Sequence, residues 1–175
     1  EAQRLQRLVE RLLDLASAGG GQTTERTTVR LLASARECAA DLTVLAEQKR
    51  QRIEVAGDDC TVVTDPVLFR QALQNLVENA IKYAPEETAI HVEVRRAGET
   101  CAVSVKDEGP GIAAEDRSRL SERFYRPDRA RGRTNGGFGL GLAITKAYLR
   151  VLGGSLHHEP AEPRGSVFRL ELPAS

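Results

Sequence analysis

The sequence has no surplus of either charge: 25 Lys and Arg residues balance 25 Asp and Glu residues, for a formal net charge of +0. A chain so balanced has no bulk electrostatic reason to bind nucleic acid or an anionic membrane. No apolar run approaches the length needed to span a bilayer. The opening Glu1-Ala2-Gln3-Arg4 lacks both an initiator methionine and the pattern of a secretory leader, so the sequence reads as a piece of something longer. Cysteine is scarce. Cys38, Cys60 and Cys101 are odd in number, widely spaced and without a CxxC pair. Disulfide and zinc frameworks are thereby excluded, and a reducing cytoplasm is the expected compartment.

What remains is an ordinary globular composition, 41% hydrophobic with 15 glycines in 175 residues, which fits one domain or one domain with an appendage. Residues 2–17 place Leu5, Leu8, Leu12 and Leu15 at helical spacing. The triple glycine from Gly19 to Gly21 then detaches that helix, whose apolar face calls for a partner in a dimer or bundle. A short strand at Thr27–Leu31 and a helix from about Leu32 to Gln51 follow. Arg52–Val55 and Cys60–Thr64 read as two strands joined by Gly57-Asp58-Asp59. Asp65 and Pro66 open a helix that runs to about Tyr83, where Pro85 ends it. Two alternating strands lie near Ile90–Val94 and Ala102–Val105, and a glycine- and arginine-rich stretch follows. A helix from about Leu140 to Leu152 and strands near Ser155–Glu159 and Ser166–Leu172 close the chain. This order predicts an α/β domain with one mixed, mostly antiparallel sheet covered on one face by helices.

Three constellations carry chemistry. On the helix from Asp65 to Tyr83, Asn75, Glu78, Asn79 and Lys82 share a side at spacings of three and four. Asparagine is a poor residue in a helix interior, and its carboxamide oxygen suits Mg²⁺, which takes few protein oxygens and keeps water and phosphate ligands. An incidental polar face gives the same pattern. Next, Cys101, Val103, Val105 and Asp107 share the inward face of a strand that runs into Glu108-Gly109-Pro110-Gly111-Ile112. A carboxylate ending a buried row needs a donor, and an adenine amino group provides one; alternatively, Asp107 turns back to cap its own backbone. Lastly, Gly136-Gly137-Phe138-Gly139-Leu140-Gly141 opens a helix, exposing N–H groups and a positive dipole end to phosphate, unless it is only a flexible linker. Its spacing matches neither GxGxxG nor GxxxxGK[ST], and the chain has no HRD or DFG set, so Rossmann, P-loop and eukaryotic-type kinase readings fail.

Taken in order, these segments resemble the ATP-binding domain of sensor histidine kinases. Asn75–Tyr83 is similar to the family's N box, Asp107–Ile112 to its G1 box, Glu122–Arg126 to its F box and Gly137–Ile144 to its G2 box. The closing Gly165-Ser166-Val167-Phe168 is also usual there. The resemblance covers about residues 25–175. It implies a two-layer α/β sandwich, the Bergerat fold, preceded by one N-terminal helix. Residues 1–18 would then be the end of a dimerisation helix, 19–24 a linker, 25–175 the ATP-binding domain, and about 113–136 its lid.

The resemblance further implies cofactors, roles and partners. ATP and Mg²⁺ would be the cofactors, with Asn79 on the metal and Asn75 and Lys82 toward the phosphates. Tyr83 would lie by the ribose and adenine. Asp107 would take the adenine amino group, with Gly109, Gly111 and Ile112 around the ring. Gly137, Gly139, Leu140 and Gly141 would shape the phosphate side. Arg126, or one of Arg129, Arg131 and Arg133, would reach the γ-phosphate. In the hydrolytic branch of the superfamily a glutamate activates water one turn before the metal asparagine. Here that position is Asn75, which is no base; Glu78 is the candidate substitute, although it sits at another angle on the helix. Transfer of the γ-phosphoryl to a histidine is therefore the expected reaction, with an ATP hydrolase, a serine kinase of the same fold or a non-catalytic nucleotide-binding module as alternatives. Implied partners are ATP and ADP, a phosphoacceptor histidine helix of the parent chain, a response regulator receiver domain and a second protomer, with no nucleic acid. The parent would be anchored in the inner membrane. His91, His157 and His158 read as surface or strand residues, not as phosphoacceptors.

Overall fold

A computed structural model describes residues 24–122, 124–125 and 139–175. The expected leading helix, the triple-glycine joint, Arg123, Arg126, the other lid arginines and Gly136–Phe138 lie outside the described residues. The elements in chain order are β1 (Thr27–Arg30), α1 (Leu31–Glu47), β2 (Arg52–Gly57), β3 (Thr61–Thr64), α2 (Pro66–Tyr83), β4 (Ala89–Ala97) and β5 (Thr100–Asp107). After them come α3 (Ala114–Arg117), α4 (Gly141–Leu152), β6 (Ser155–Pro160) and β7 (Ser166–Pro173).

Local chemistry explains the two helices that matter most. Asp65 caps α2 by accepting from the backbone N–H groups of Val67 (2.9 Å) and Leu68 (3.1 Å), and Pro66 occupies the first helical position, where no N–H is needed. α4 ends at Gly153 in the left-handed region (φ +79°), which lets the Gly154 N–H reach back 2.7 Å to the Leu149 carbonyl.

β2, β4, β5, β7 and β6 form one sheet in that order; β2 runs parallel to β4, and every other neighbour is antiparallel. Alternation then sets the two faces. Ile90, Val92 and Val94, Cys101, Val103 and Val105, and Phe168, Leu170 and Leu172 are buried in one core with side chains of α1, α2 and α4. The opposite face is polar, with ion pairs between Glu54 and His91, Glu93 and Arg95, and Arg169 and Glu171. This is the expected sheet with helices on one face. Among the described residues, no helix is long and apolar enough to cross a membrane.

The turn at Gly57-Asp58-Asp59 does not form the hairpin that its sequence resembles. β2 lies beside β4, whereas β3 pairs with β1 in a separate two-stranded sheet. The cause is local. The Asp58 N–H donates to the Val94 carbonyl (2.8 Å), and its carboxylate accepts from the Arg96 N–H (3.0 Å), so the turn is spent on β4. α1 likewise stops at Glu47, short of Gln51, because Arg50 adopts φ +53° and Gln51 turns inward to 4% exposure.

Candidate functional site

The cross-strand register brings the site together. Val92, Val105, Phe168 and His158 form one continuous row across β4, β5, β7 and β6. One step beyond that row's residues in β5 and β7, Asp107 stands opposite Ser166, and Ser166 opposite Pro160. The apolar row of β5 thus ends in a carboxylate, just where the sheet meets the β6–β7 loop.

Asp107 is only 6% exposed. Its Oδ1 accepts from the Gly109 N–H at 2.7 Å, and the nearby Ser166 backbone N–H also favours the charged carboxylate. Burial pushes its carboxyl above the ordinary value, outweighing the opposing pull of those two donors. Asp107 therefore caps its own turn, as the alternative reading has it, and also lines an open cavity. Glycine is obligatory around it. A Cβ on Gly109 would come within 2.7 Å of Asp107 Oδ1 and 3.2 Å of the Tyr83 carbonyl oxygen, and a Cβ on Gly165, at φ +108°, would collide with the Asp107 carbonyl.

The cavity measures about 620 Å³, a volume that suits a nucleotide. Asn79 and Tyr83 of α2, Asp107, the Pro110–Ala113 segment, Gly139, and Gly141 and Leu142 at the start of α4 all line it. So do Asp116, Leu120, Tyr125 and the β6–β7 loop from Pro160 to Ser166. Among the described residues the N-terminal turn of α4 has no acidic residue and no side-chain cap, and Gly141 and Leu142 bring the positive end of the helix dipole to this space.

Of the residues singled out in the sequence, Asn79, Tyr83, Asp107, Gly111, Ile112, Gly139 and Gly141 meet at the cavity. Asn75, Glu78 and Lys82 are half-buried on α2 but are not among its lining residues; Glu78 accepts from the Gln74 amide at 2.9 Å. Lys82 Nζ lies 4.9 Å from the centre of the Tyr83 ring. Gly109 supports Asp107 from behind, and the Leu140 side chain, 1% exposed, belongs to the core. Arg126 and Gly137 lie outside the described residues.

Two parts of the wall were not legible in the sequence. One is the β6–β7 loop, whose Pro160, Pro163 and Gly165 are the usual signals of a sharp turn. The other is a latch in which the Tyr125 hydroxyl donates to Asp116 while the Arg119 guanidinium stacks 4.2 Å from the Tyr125 ring. His158 is half-buried and its ring packs 4.8 Å from Phe168, which fits a strand residue and not an acceptor presented on a helix.

Comparison with known proteins agrees with this geometry. Residues 64–175 match the family described as histidine kinase-, DNA gyrase B- and HSP90-like ATPase. The chain is 37% identical over 175 residues to sensor protein IrlS of Burkholderia pseudomallei, covering 99% of this chain and 38% of that protein. It is 34% identical to sensor histidine kinase CusS of Escherichia coli, covering 99% of this chain and 36% of the relative. The chain thus spans less than two-fifths of the length of these relatives. Among solved structures, full-length ShkA in complex with AMPPNP superposes with a TM-score of 0.86 at 27% identity, over 98% of this chain and 36% of that one. The isolated catalytic domain of histidine kinase ThkA superposes with a TM-score of 0.75 at 27% identity, over 86% of this chain and 97% of that one. The chain belongs to the histidine kinase-, DNA gyrase B- and HSP90-like ATPase family, as a catalytic domain of the sensor histidine kinase type.

Proposed function

We propose that the cavity holds Mg-ATP and that the chain transfers its γ-phosphoryl to a histidine on a dimerisation helix. One observation carries this reading: a buried carboxylate, Asp107, faces the same 620 Å³ cavity as the Asn79 side chain and the N-terminus of α4. In this arrangement Asp107 accepts from the adenine amino group and Tyr83 flanks the ribose and base. The α4 N-terminus takes the phosphates. Asn79 is the protein's ligand to Mg²⁺. Among the described residues no three His, Cys, Asp or Glu side chains converge on a metal site, so the ion would take its remaining oxygens from phosphates and water. Asn75, Lys82 and Arg126 are assigned to the phosphates, and Gly137 to the phosphate side of the lid.

The acceptor must come from elsewhere, because His91 lies on β4 and His157 and His158 lie on β6. We assign residues 1–18 to a dimerisation helix and 19–24 to its linker. The partners are then the acceptor helix of the parent chain, a second protomer and a response regulator, all on the cytoplasmic side of a membrane-anchored parent.

Incubation of the chain with radiolabelled ATP, Mg²⁺ and a separately produced histidine-bearing helical hairpin from a relative tests this. Acid-labile phosphate should appear on the hairpin and not on the chain. Steady phosphate release without transfer, abolished by Glu78→Gln, would replace the kinase reading with that of a hydrolase.

A further inference from the structure

A helix leaves its last carbonyls without intrahelical partners. α4 solves this with glycine, but α2 ends in Ala84 and Pro85, with Ala84 extended at ψ 149°, and has no glycine cap. Its carbonyls go to a turn more than thirty residues upstream. Lys49 Nζ donates to the carbonyls of Ile81 (2.7 Å), Lys82 (3.2 Å) and Ala84 (2.6 Å). Gln51 Nε2 lies within hydrogen-bond distance of the carbonyls of Ile81 (3.2 Å), Ala84 (3.1 Å) and Pro85 (2.8 Å).

An ammonium has three N–H bonds, and three carbonyls at and just beyond the end of α2 lie within their reach. The charge also sits at the negative end of the α2 dipole. Around this pair, the Glu87 N–H donates to the Lys49 carbonyl (3.1 Å), the Arg52 N–H to the Thr88 carbonyl (3.2 Å), and Arg50 pairs with Glu86 and Glu87. Neither Lys49 nor Gln51 lines the cavity.

The turn they grip does line it. Tyr83 is the last residue of α2, its side chain faces the cavity, and its carbonyl lies against the position of Gly109 beside Asp107. Lys82 precedes it. We propose that Lys49 and Gln51 are positioning residues for the nucleotide: they hold the last turn of α2 so that Lys82 and Tyr83 meet the ligand, while touching none of it themselves. This rests on the Mg-ATP reading of the cavity.

Calorimetric titration of Mg-ADP into the chain and its Lys49→Met, Lys49→Arg, Lys82→Met and Lys49→Met/Lys82→Met variants tests it, at a temperature where circular dichroism shows each folded. Lys49→Met should weaken ADP about tenfold, and Lys82→Met should lose most of its effect in that background, because the two act through one turn. Lys49→Arg should not restore binding, since a planar guanidinium cannot direct three donors from one atom. Additive effects of the two substitutions, or a Lys49→Met variant with a lower melting temperature and unchanged ADP affinity, would overturn the proposal and leave Lys49 a helix cap. Should Lys49→Met not fold, Gln51→Met is read in the same cycle. Failure of the unaltered chain to bind ADP would instead overturn the reading of the cavity.

Discussion

Replacing Asp107 by asparagine changes almost no volume and isolates the chemistry of one oxygen. The carboxylate accepts from the Gly109 N–H at 2.7 Å, and the nearby Ser166 N–H also favours its charged form. An amide has one oxygen, which those donors will claim, so its NH₂ group turns toward the purine. Adenine presents an amino group there, and donor meets donor. The loss is one hydrogen bond to a charged acceptor in a buried site, about 1.5–3 kcal/mol, or roughly 10- to 150-fold in ADP affinity. Guanine presents a carbonyl at the same place, which the new NH₂ group can satisfy, so the preference for ADP over GDP should collapse by more than ADP binding alone weakens. Titration calorimetry with both nucleotides, with a melting curve to verify folding, measures this. If ADP binding is unchanged, or ADP and GDP weaken in parallel, Asp107 does not read the base.

Gly165→Ala should cost about 1–3 kcal/mol of backbone strain, lowering the melting temperature by roughly 2–12 °C, whereas Gly98→Ala, with φ +60° and nothing within 4 Å of the new Cβ, should cost less; equal losses would refute the packing argument. Both ring nitrogens of His158 are buried without a partner among the described residues, and burial together with Arg117 holds its pKa below 6.5. The native state therefore binds this proton less readily than the unfolded state, so urea stability should fall as pH drops below 6.5, and His158→Phe should lack that component of the fall. Cys38, Cys60 and Cys101 are each at most 2% exposed, and burial pushes the Cys38 and Cys60 thiols up to about 11. Dithionitrobenzoate should label none of them until denaturant is added, and rapid labelling of the folded chain would contradict the burial.

The parts of the fold that the sequence announces are those with local causes. Asp65, Pro66 and Pro85 bound α2 within a residue of its observed ends, and the alternation from Cys101 to Asp107 fixes which side of β5 is buried. Pairing over long separations was not legible. Gly57-Asp58-Asp59 has the composition of a hairpin turn, and only the position of β4 shows why it makes none. For the same reason the role of Lys49 and Gln51 was not legible: nothing within a few positions of them signals six contacts to the end of α2 and the Ala84-Pro85 segment after it. The glycine-rich entrance to α4 stood out as a candidate site because alternating glycines are a poor way to build a helix, and its Gly139 and Gly141 line the cavity.

The choice between transfer and hydrolysis turns on the angles of α2. Successive residues of a helix are about 100° apart, so Asn75 lies about 40° from Asn79 and Glu78 about 100° from it. A general base for water must stand beside the phosphates that the metal ligand faces. The residue one turn before Asn79 is thus an amide with no basic lone pair, while the carboxylate off to the side is held by Gln74 at 2.9 Å. With no base directed at it, water near the γ-phosphate gains little, and positioning of an outside nucleophile becomes the dominant contribution. An imidazole on a separate helix needs no such base, because a neutral ring nitrogen already carries the attacking lone pair. On the proposed Mg-ATP reading, the same geometry would make the domain a poor hydrolase and would hold ATP for an outside acceptor.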